Sequence, residues 1–230
     1  MKPLDFFYDN PASGPGHFPQ RFCTFFAAAV RAVFGLLFRY KIYGLDEALS
    51  KLPEGEGFLI VGNHRSYLDP VFVMSALRPR PVRFIAKEEF LDIHPAIARF
   101  AAWVGAFPIK RNTADLTAVK RAVRMLKRGE PVGIFPEGTR IRHEGQVPVY
   151  HEGAAFIARL AKVSVLPVRI WNTELIKPPG TRLFRCPKVI LRFSEPLSLD
   201  EERFASLPKD ERSAAFTTAI MTQIYTTPNP

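Results

Sequence analysis

GFLIVGNHRSYLDPVF (residues 57–72) changes character along its length, and each change marks a structural element. GFLIV is a short uninterrupted apolar run, the pattern of a strand covered on both faces. DPVF reads as a helix start: Asp69 can cap exposed amide hydrogens, and Pro70 at the first helical position forfeits no hydrogen bond. Between them, His64 and its polar neighbours occupy the point where a strand hands over to a helix. In α/β proteins that is where sites are built.

The same alternation extends outward along the chain. Apolar runs predict strands over 57–62, 82–86, 106–109, 131–135, 163–170 and 188–193, and helical periodicity predicts helices over 70–76, 95–104, 113–128, 153–161 and 209–225. Strands alternating with helices imply an α/β fold: a single domain whose mixed, mostly parallel central sheet is flanked by helices. In 113–128, Leu116, Val119, Val123 and Leu126 give the period, Asn112 or Thr113 can cap the start, and Gly129 can end it in the left-handed conformation. The outer face of this helix, with Lys120, Arg121, Arg124, Lys127 and Arg128, reads as a solvated basic surface.

With 230 residues, 47% of them hydrophobic, the chain has material for one real core. Lysine and arginine number 32 against 22 acidic residues, and the net charge of +10 predicts anionic partners: phospholipid surfaces, phosphate esters, acidic carriers or nucleic acid. No nucleic-acid-reading motif or stacking platform is recognisable, so nucleic acid ranks last among these partners and is not expected. Cys23 and Cys186 lie in unlike contexts, which argues against a disulfide framework or a cysteine metal site.

The Pro/Gly-rich start, 1–17, lacks the layout of a signal peptide and reads as a flexible leader. After it, 18–41 contains RFCTFFAAAVRAVFGLLFRY, whose charge-free run stops at Arg31, short of the roughly 18 apolar residues of a membrane span. At about 100° per residue, Arg21, Thr24, Ala28, Arg31, Gly35 and Arg39 share one narrow sector and the phenylalanines spread over the remainder. A wide apolar face with a thin basic stripe is the pattern of a helix lying in a membrane interface, although a core-packing helix with a solvated edge has the same composition.

Imidazole suits a general base near neutral pH, and a carboxylate on its other nitrogen fixes the tautomer and stabilises the cation. His64 and Asp69 would lie about 140° apart on a straight helix, so they pair only if the strand-to-helix junction turns the chain. Without that turn, Asp69 is a cap and His64 an ordinary loop residue. A second cluster, GIFPEGTRIR (133–142), also follows an apolar strand. Gly138 permits positive φ or close approach of a ligand, and Arg140 has the fork that grips phosphate, although a simple exposed ion pair between Glu137 and Arg140 also fits. GAFPIKRN brings Lys110 and Arg111 to the end of another strand.

NHRSYLDP, GAFPIKR, FPEGTR and VLPV together resemble, in order and spacing, the four blocks of the glycerolipid acyltransferase family, the 1-acylglycerol-3-phosphate acyltransferases. The resemblance implies a glycerol-3-phosphate acyltransferase-like fold, with 42–230 as the catalytic domain behind an amphipathic membrane-associating helix. It implies that His64 is the general base and Asp69 its orienting partner. Arg111, Glu137, Gly138 and Arg140 would form the phosphate and glycerol site, and Pro167 would belong to the acyl-donor side. The implied chemistry is direct attack of the free hydroxyl of lysophosphatidate on acyl-CoA or an acyl carrier protein thioester, giving phosphatidate with neither metal nor cofactor. No nucleophile elbow surrounds Ser66, in keeping with a route that forms no acyl-enzyme. Oxyanion donors are expected among backbone amides at the helix start. The expected place of work is the cytoplasmic face of a membrane bearing anionic phospholipid, with the protein peripheral or monotopic. The same mechanism serves other acceptors, such as lyso-ornithine lipid, other lysophospholipids or glycerol 3-phosphate, and a non-catalytic basic lipid-binding protein would explain the charge alone. Two positions depart from the family pattern: His151 stands where a lysine is common, and Pro108 precedes the isoleucine of the second block.

Overall fold

The computed structural model describes residues 3–10, 20–91, 94–110, 115–138, 140, 149–178, 180–181 and 183–230. The strands are β1 (Lys41–Tyr43), β2 (Leu59–Gly62), β3 (Arg83–Lys87), β4 (Ala106–Ile109), β5 (Val132–Ile134), β6 (Val165–Trp171) and β7 (Ile190–Phe193). They form one sheet in the order β1-β7-β6-β2-β5-β3-β4. Every neighbouring pair is parallel except β6 with β7, so the sheet is mixed and mostly parallel, as predicted. Pro108 is tolerated because β4 is an edge strand, where a missing amide hydrogen need break no ladder bond.

The helices are α1 (Leu4–Asp9), α2 (Gln20–Phe38), α3 (Leu45–Ser50), α4 (Asp69–Ala76), α5 (Glu88–Leu91), α6 (Pro95–Trp103), α7 (Leu116–Lys127), α8 (Gly153–Ala161), α9 (Glu202–Ala205) and α10 (Lys209–Thr226). Side chains alternate across β2 as the pleat requires. Leu59 and Val61 join Met125 of α7, Ile157 of α8 and Phe216 and Ile224 of α10 in one core cluster. Ile60 joins Phe72 and Val73 of α4 and Phe38 of α2 in the other. Both faces are thereby covered, which is why the strands read as continuous apolar runs.

One N-terminal expectation changes. Part of the supposed flexible leader is α1, whose Phe7 and Tyr8 are buried. The wholly buried Arg83 donates to the Phe7 carbonyl at 2.7 Å, and Arg121 of α7 pairs with Asp5 and Asp9. Arg124 also reaches Asp9, so the basic face of α7 is a seat for α1 as well as a solvated surface. In α2, Ala27 and Phe38 are buried and Phe34 packs against Phe72, whereas Phe25, Val33, Leu36 and Leu37 are exposed. The helix is therefore half core element and half open apolar face. Among the described residues no helix is long and apolar enough to cross a membrane.

Helix capping also differs from expectation. Asn112 and Thr113 lie outside the described residues, and Asp115 caps α7 by accepting from the amides of Thr117 and Ala118, both at 3.0 Å. His94, which had no assigned role, caps α6 through Nδ1.

Candidate active site

Gly62 ends β2, and Asn63 prolongs its pairing with β6 by a side-chain ladder. Asn63 Oδ1 accepts from the Ile170 amide at 2.7 Å and Nδ2 donates to the Ile170 carbonyl at 2.9 Å. The chain leaves the sheet at a fixed point and turns, placing His64 Nδ1 2.9 Å from Asp69 Oδ2. The same oxygen accepts from the amides of Arg65 and Ser66, each at 2.7 Å. Asp69 thus does not cap its own helix as anticipated; its carboxylate, fully buried, folds back onto the preceding turn. Being acceptor-only as a carboxylate, it requires the ring hydrogen on Nδ1 and leaves the Nε2 lone pair available. Phe135 stacks on the imidazole, with centroids 4.5 Å apart and planes 18° from parallel, so the ring has little freedom to turn.

The turn after β5 meets this one. Gly138 has φ +58°, and a Cβ there would approach the His151 ring to 3.2 Å, so both its conformation and its space favour glycine. Glu137, only 3% exposed, accepts from the His64 amide through Oε2 (3.0 Å) and from the Tyr225 hydroxyl through Oε1 (2.5 Å). Burial pushes its carboxyl above the ordinary range, and the bonds from Tyr225 and His64 draw it part of the way back. Burial, then Glu137 itself, raises the Tyr225 phenol. Both oxygens of Glu137 serve the chain's own donors, so it braces the site. Arg140 Cζ stands 3.4 Å above the ring of Tyr67, joining the third block to the first by a cation–π contact at an open surface.

His64, Asp69, Glu137, Gly138 and Arg140 thus come together at one edge of the sheet, as their places after parallel strands require. Arg111 lies outside the described residues; Lys110 beside it is exposed at the end of β4. Pro167 is buried within β6, its carbonyl accepting from the Ser194 amide at 3.0 Å, and adds no exposed surface to the site. Ser66 Oγ accepts from the Leu68 amide at 3.3 Å. The amides of His64, Arg65, Ser66, Leu68 and Asp69 are engaged within the chain, so these five are committed and do not serve an oxyanion in this arrangement. Sequence reasoning missed Tyr225, Phe135 and Asn63. The last two are the first residues of FPEGTR and NHRSYLDP, whereas Tyr225 is distant from all the blocks.

A sequence model of the family described as Acyltransferase matches residues 46–171. The 1-acyl-sn-glycerol-3-phosphate acyltransferase of Bacillus subtilis (strain 168) is 31% identical over 204 residues, spanning 89% of this chain and 94% of that one. The enzyme of the same name from Streptococcus pneumoniae is 31% identical over 156 residues, covering 66% of this chain and 54% of its own. The crystal structure of the 1-acyl-sn-glycerophosphate (LPA) acyltransferase PlsC from Thermotoga maritima superposes with TM-score 0.66 and 25% identity, over 92% of this chain and 81% of that one. Family model, sequence relatives and solved structure agree with one another, and the chain belongs to the glycerolipid acyltransferase family, whose matched members are 1-acyl-sn-glycerol-3-phosphate acyltransferases.

Proposed function

We propose that this protein moves a fatty acyl group from a thioester to the free hydroxyl of 1-acylglycerol 3-phosphate, making phosphatidate. The observation that carries the mechanism is the His64–Asp69 pair, with Nδ1 held at 2.9 Å by a fully buried carboxylate. Nε2 takes the hydroxyl proton as the acceptor oxygen attacks the thioester carbonyl. The tetrahedral intermediate collapses with cleavage of the C–S bond, and the imidazolium returns the proton to the departing thiolate. Asp69 stabilises the imidazolium in between. No acyl-enzyme forms, and Ser66 is left to its turn.

The phosphate is gripped by Arg140, whose guanidinium lies over Tyr67 beside the catalytic turn, together with Arg111 of the second block. Glu137 and Gly138 shape this site without touching the phosphate. The donor is acyl-CoA or acyl carrier protein, both anionic, and the charge of +10 favours either.

The protein works peripherally, at the cytoplasmic face of a membrane bearing anionic lipid. Phe25 and Leu36 of α2, 70% and 83% exposed, dip into the interface beside Arg31, whose charge meets lipid phosphate. Leu183 and Phe184, in a loop joined to the end of α2 by the bond from Arg39 to the Cys186 carbonyl, extend that contact.

The test is thioester consumption by purified protein with palmitoyl-CoA, comparing lysophosphatidate, lyso-ornithine lipid and glycerol 3-phosphate, with His64→Ala alongside. Turnover on lysophosphatidate that disappears in the variant is expected. Turnover on another acceptor alone would overturn the substrate assignment, and full activity of the variant would overturn the mechanism.

A further inference from the structure

Glu137 joins two remote parts of the chain: one oxygen holds the His64 amide and the other the hydroxyl of Tyr225, in the last turn of α10. A buried carboxylate held from one side only would leave its second oxygen desolvated and free to swing. We propose that Tyr225 is a positioning residue for the acyl transfer: it fixes Glu137, Glu137 fixes the main chain at His64, and Arg169 fixes Tyr225.

The support for Tyr225 is independent of the blocks that identify the family. Arg169, in β6, donates through Nη1 to the carbonyls of Tyr225 and Thr227, the latter at 2.7 Å. These are the acceptors that a helix C-terminus leaves without intrahelical partners. The guanidinium carbon also lies 5.8 Å from the centre of the Tyr225 ring. Ser194, just after β7, bonds Thr227 Oγ1 at 3.0 Å. Beneath, Phe216, Ile220, Met221 and Ile224 are at most 1% exposed, which sets the rotation of α10 and hence the direction of Tyr225. The hydroxyl therefore reaches Glu137 from a helix locked at its base and at its end, on the Glu137 oxygen not used by His64.

The inference rests on the acyltransferase reading for its kinetic consequence, though not for its geometry. Tyr225→Phe removes only the hydroxyl. In the full chain it is expected to lower kcat for lysophosphatidate acylation about tenfold, the scale of one hydrogen bond to a charged group, with the donor KM within about twofold. It also withdraws one of the bonds that favours ionised Glu137. The groups facing that carboxyl are His64 and Arg65 from the turn after β2, Tyr150 from the segment entering α8, and Tyr225 itself, while the His151 ring lies against the neighbouring Gly138. With Tyr225 silenced the carboxyl rises further, so the acid limb of kcat moves to higher pH. Loss of packing alone would lower the melting temperature and leave that limb in place.

Glu137→Gln supplies the second arm. If Tyr225 acts through Glu137, the double variant loses no more than Glu137→Gln alone, whereas additive losses would overturn the proposal. Arg169→Lys, which keeps the charge and removes the guanidinium whose Nη1 serves both carbonyls, is expected to give a smaller shift of the same limb. NMR of the His64 imidazole in wild type and Tyr225→Phe separates the two readings. A wild type inactive on every acyl donor and acceptor would sink the acyltransferase assignment, while a displaced His64 resonance in the variant would still sustain the positioning role. An unmoved resonance together with an unmoved limb would overturn the role of Tyr225.

Discussion

Asp69→Asn tests the heart of the mechanism with almost no change of shape. The amide oxygen can occupy the position of Oδ2, where it still accepts from His64 Nδ1 and from the amides of Arg65 and Ser66. The tautomer of His64 is thereby preserved, and what disappears is the negative charge facing the imidazolium. A unit charge about 4 Å from another, at an effective dielectric near 20, contributes about 4 kcal/mol. Each ~1.4 kcal/mol is a factor of ten, so kcat should fall roughly a thousandfold while both KM values stay nearly constant. The new NH2 group falls where Asp69 Oδ1 is buried without a hydrogen-bond partner among the described residues, at a cost of about 1–3 kcal/mol in stability. For a chain of this size that is a melting-temperature drop of a few degrees to about ten. The assay is initial rate of thioester loss under saturating lysophosphatidate, well below the variant's melting point. A folded variant within tenfold of the wild-type kcat would refute the charge-stabilised imidazolium, and with it the reason for burying this carboxylate.

Arg140→Ala should raise the acceptor's apparent KM about tenfold or more and leave the donor's nearly unchanged; an equal rise in both would argue against a phosphate grip. Arg83→Met takes the buried donor away from the Phe7 and Tyr8 carbonyls, and a loss of about 3 kcal/mol or more is expected in chemical denaturation; no loss would mean that α1 is not held by this residue. Phe25→Asp with Leu36→Asp should weaken sedimentation with phosphatidylglycerol vesicles severalfold while sparing turnover of a short-chain, monomeric lysophosphatidate. Undiminished binding would transfer the lipid contact to another surface.

The bounds of β4 and α8 coincide with the spans predicted for them, because each begins at local punctuation: Gly105 before the strand and Gly153 at the helix start. His64 and Asp69 were legible for a similar reason, since strand, turn and helix all fall within one short stretch. What remained hidden depends on distant partners. The α1 helix is a few residues long, too short to be stable alone, and owes its place to Arg83 and Arg121. Glu137 was expected at a phosphate, and its two oxygens instead serve residues 73 and 88 positions away. Asp69 resembled a cap because local spacing cannot say which way a carboxylate folds. Pro167, buried inside β6, belongs to its block as part of the sheet's interior.

The one antiparallel pairing, which reverses both β7 and β1, has a consequence for how the molecule faces its surroundings. Trp171, the last residue of β6, stands opposite Ile190, the first of β7, and Ile190 stands beside Lys41, the first of β1. The chain therefore enters β1 from the edge at which β2 delivers His64, and α2, ending just before β1, arrives there too. Had β7 run parallel to β6, keeping β1 parallel to it, that helix would join the sheet from the opposite edge, on the order of 15 Å away across strands of four or five residues. A single change of strand polarity thus puts the open apolar face of α2 and the His64–Asp69 pair on the same side of the sheet.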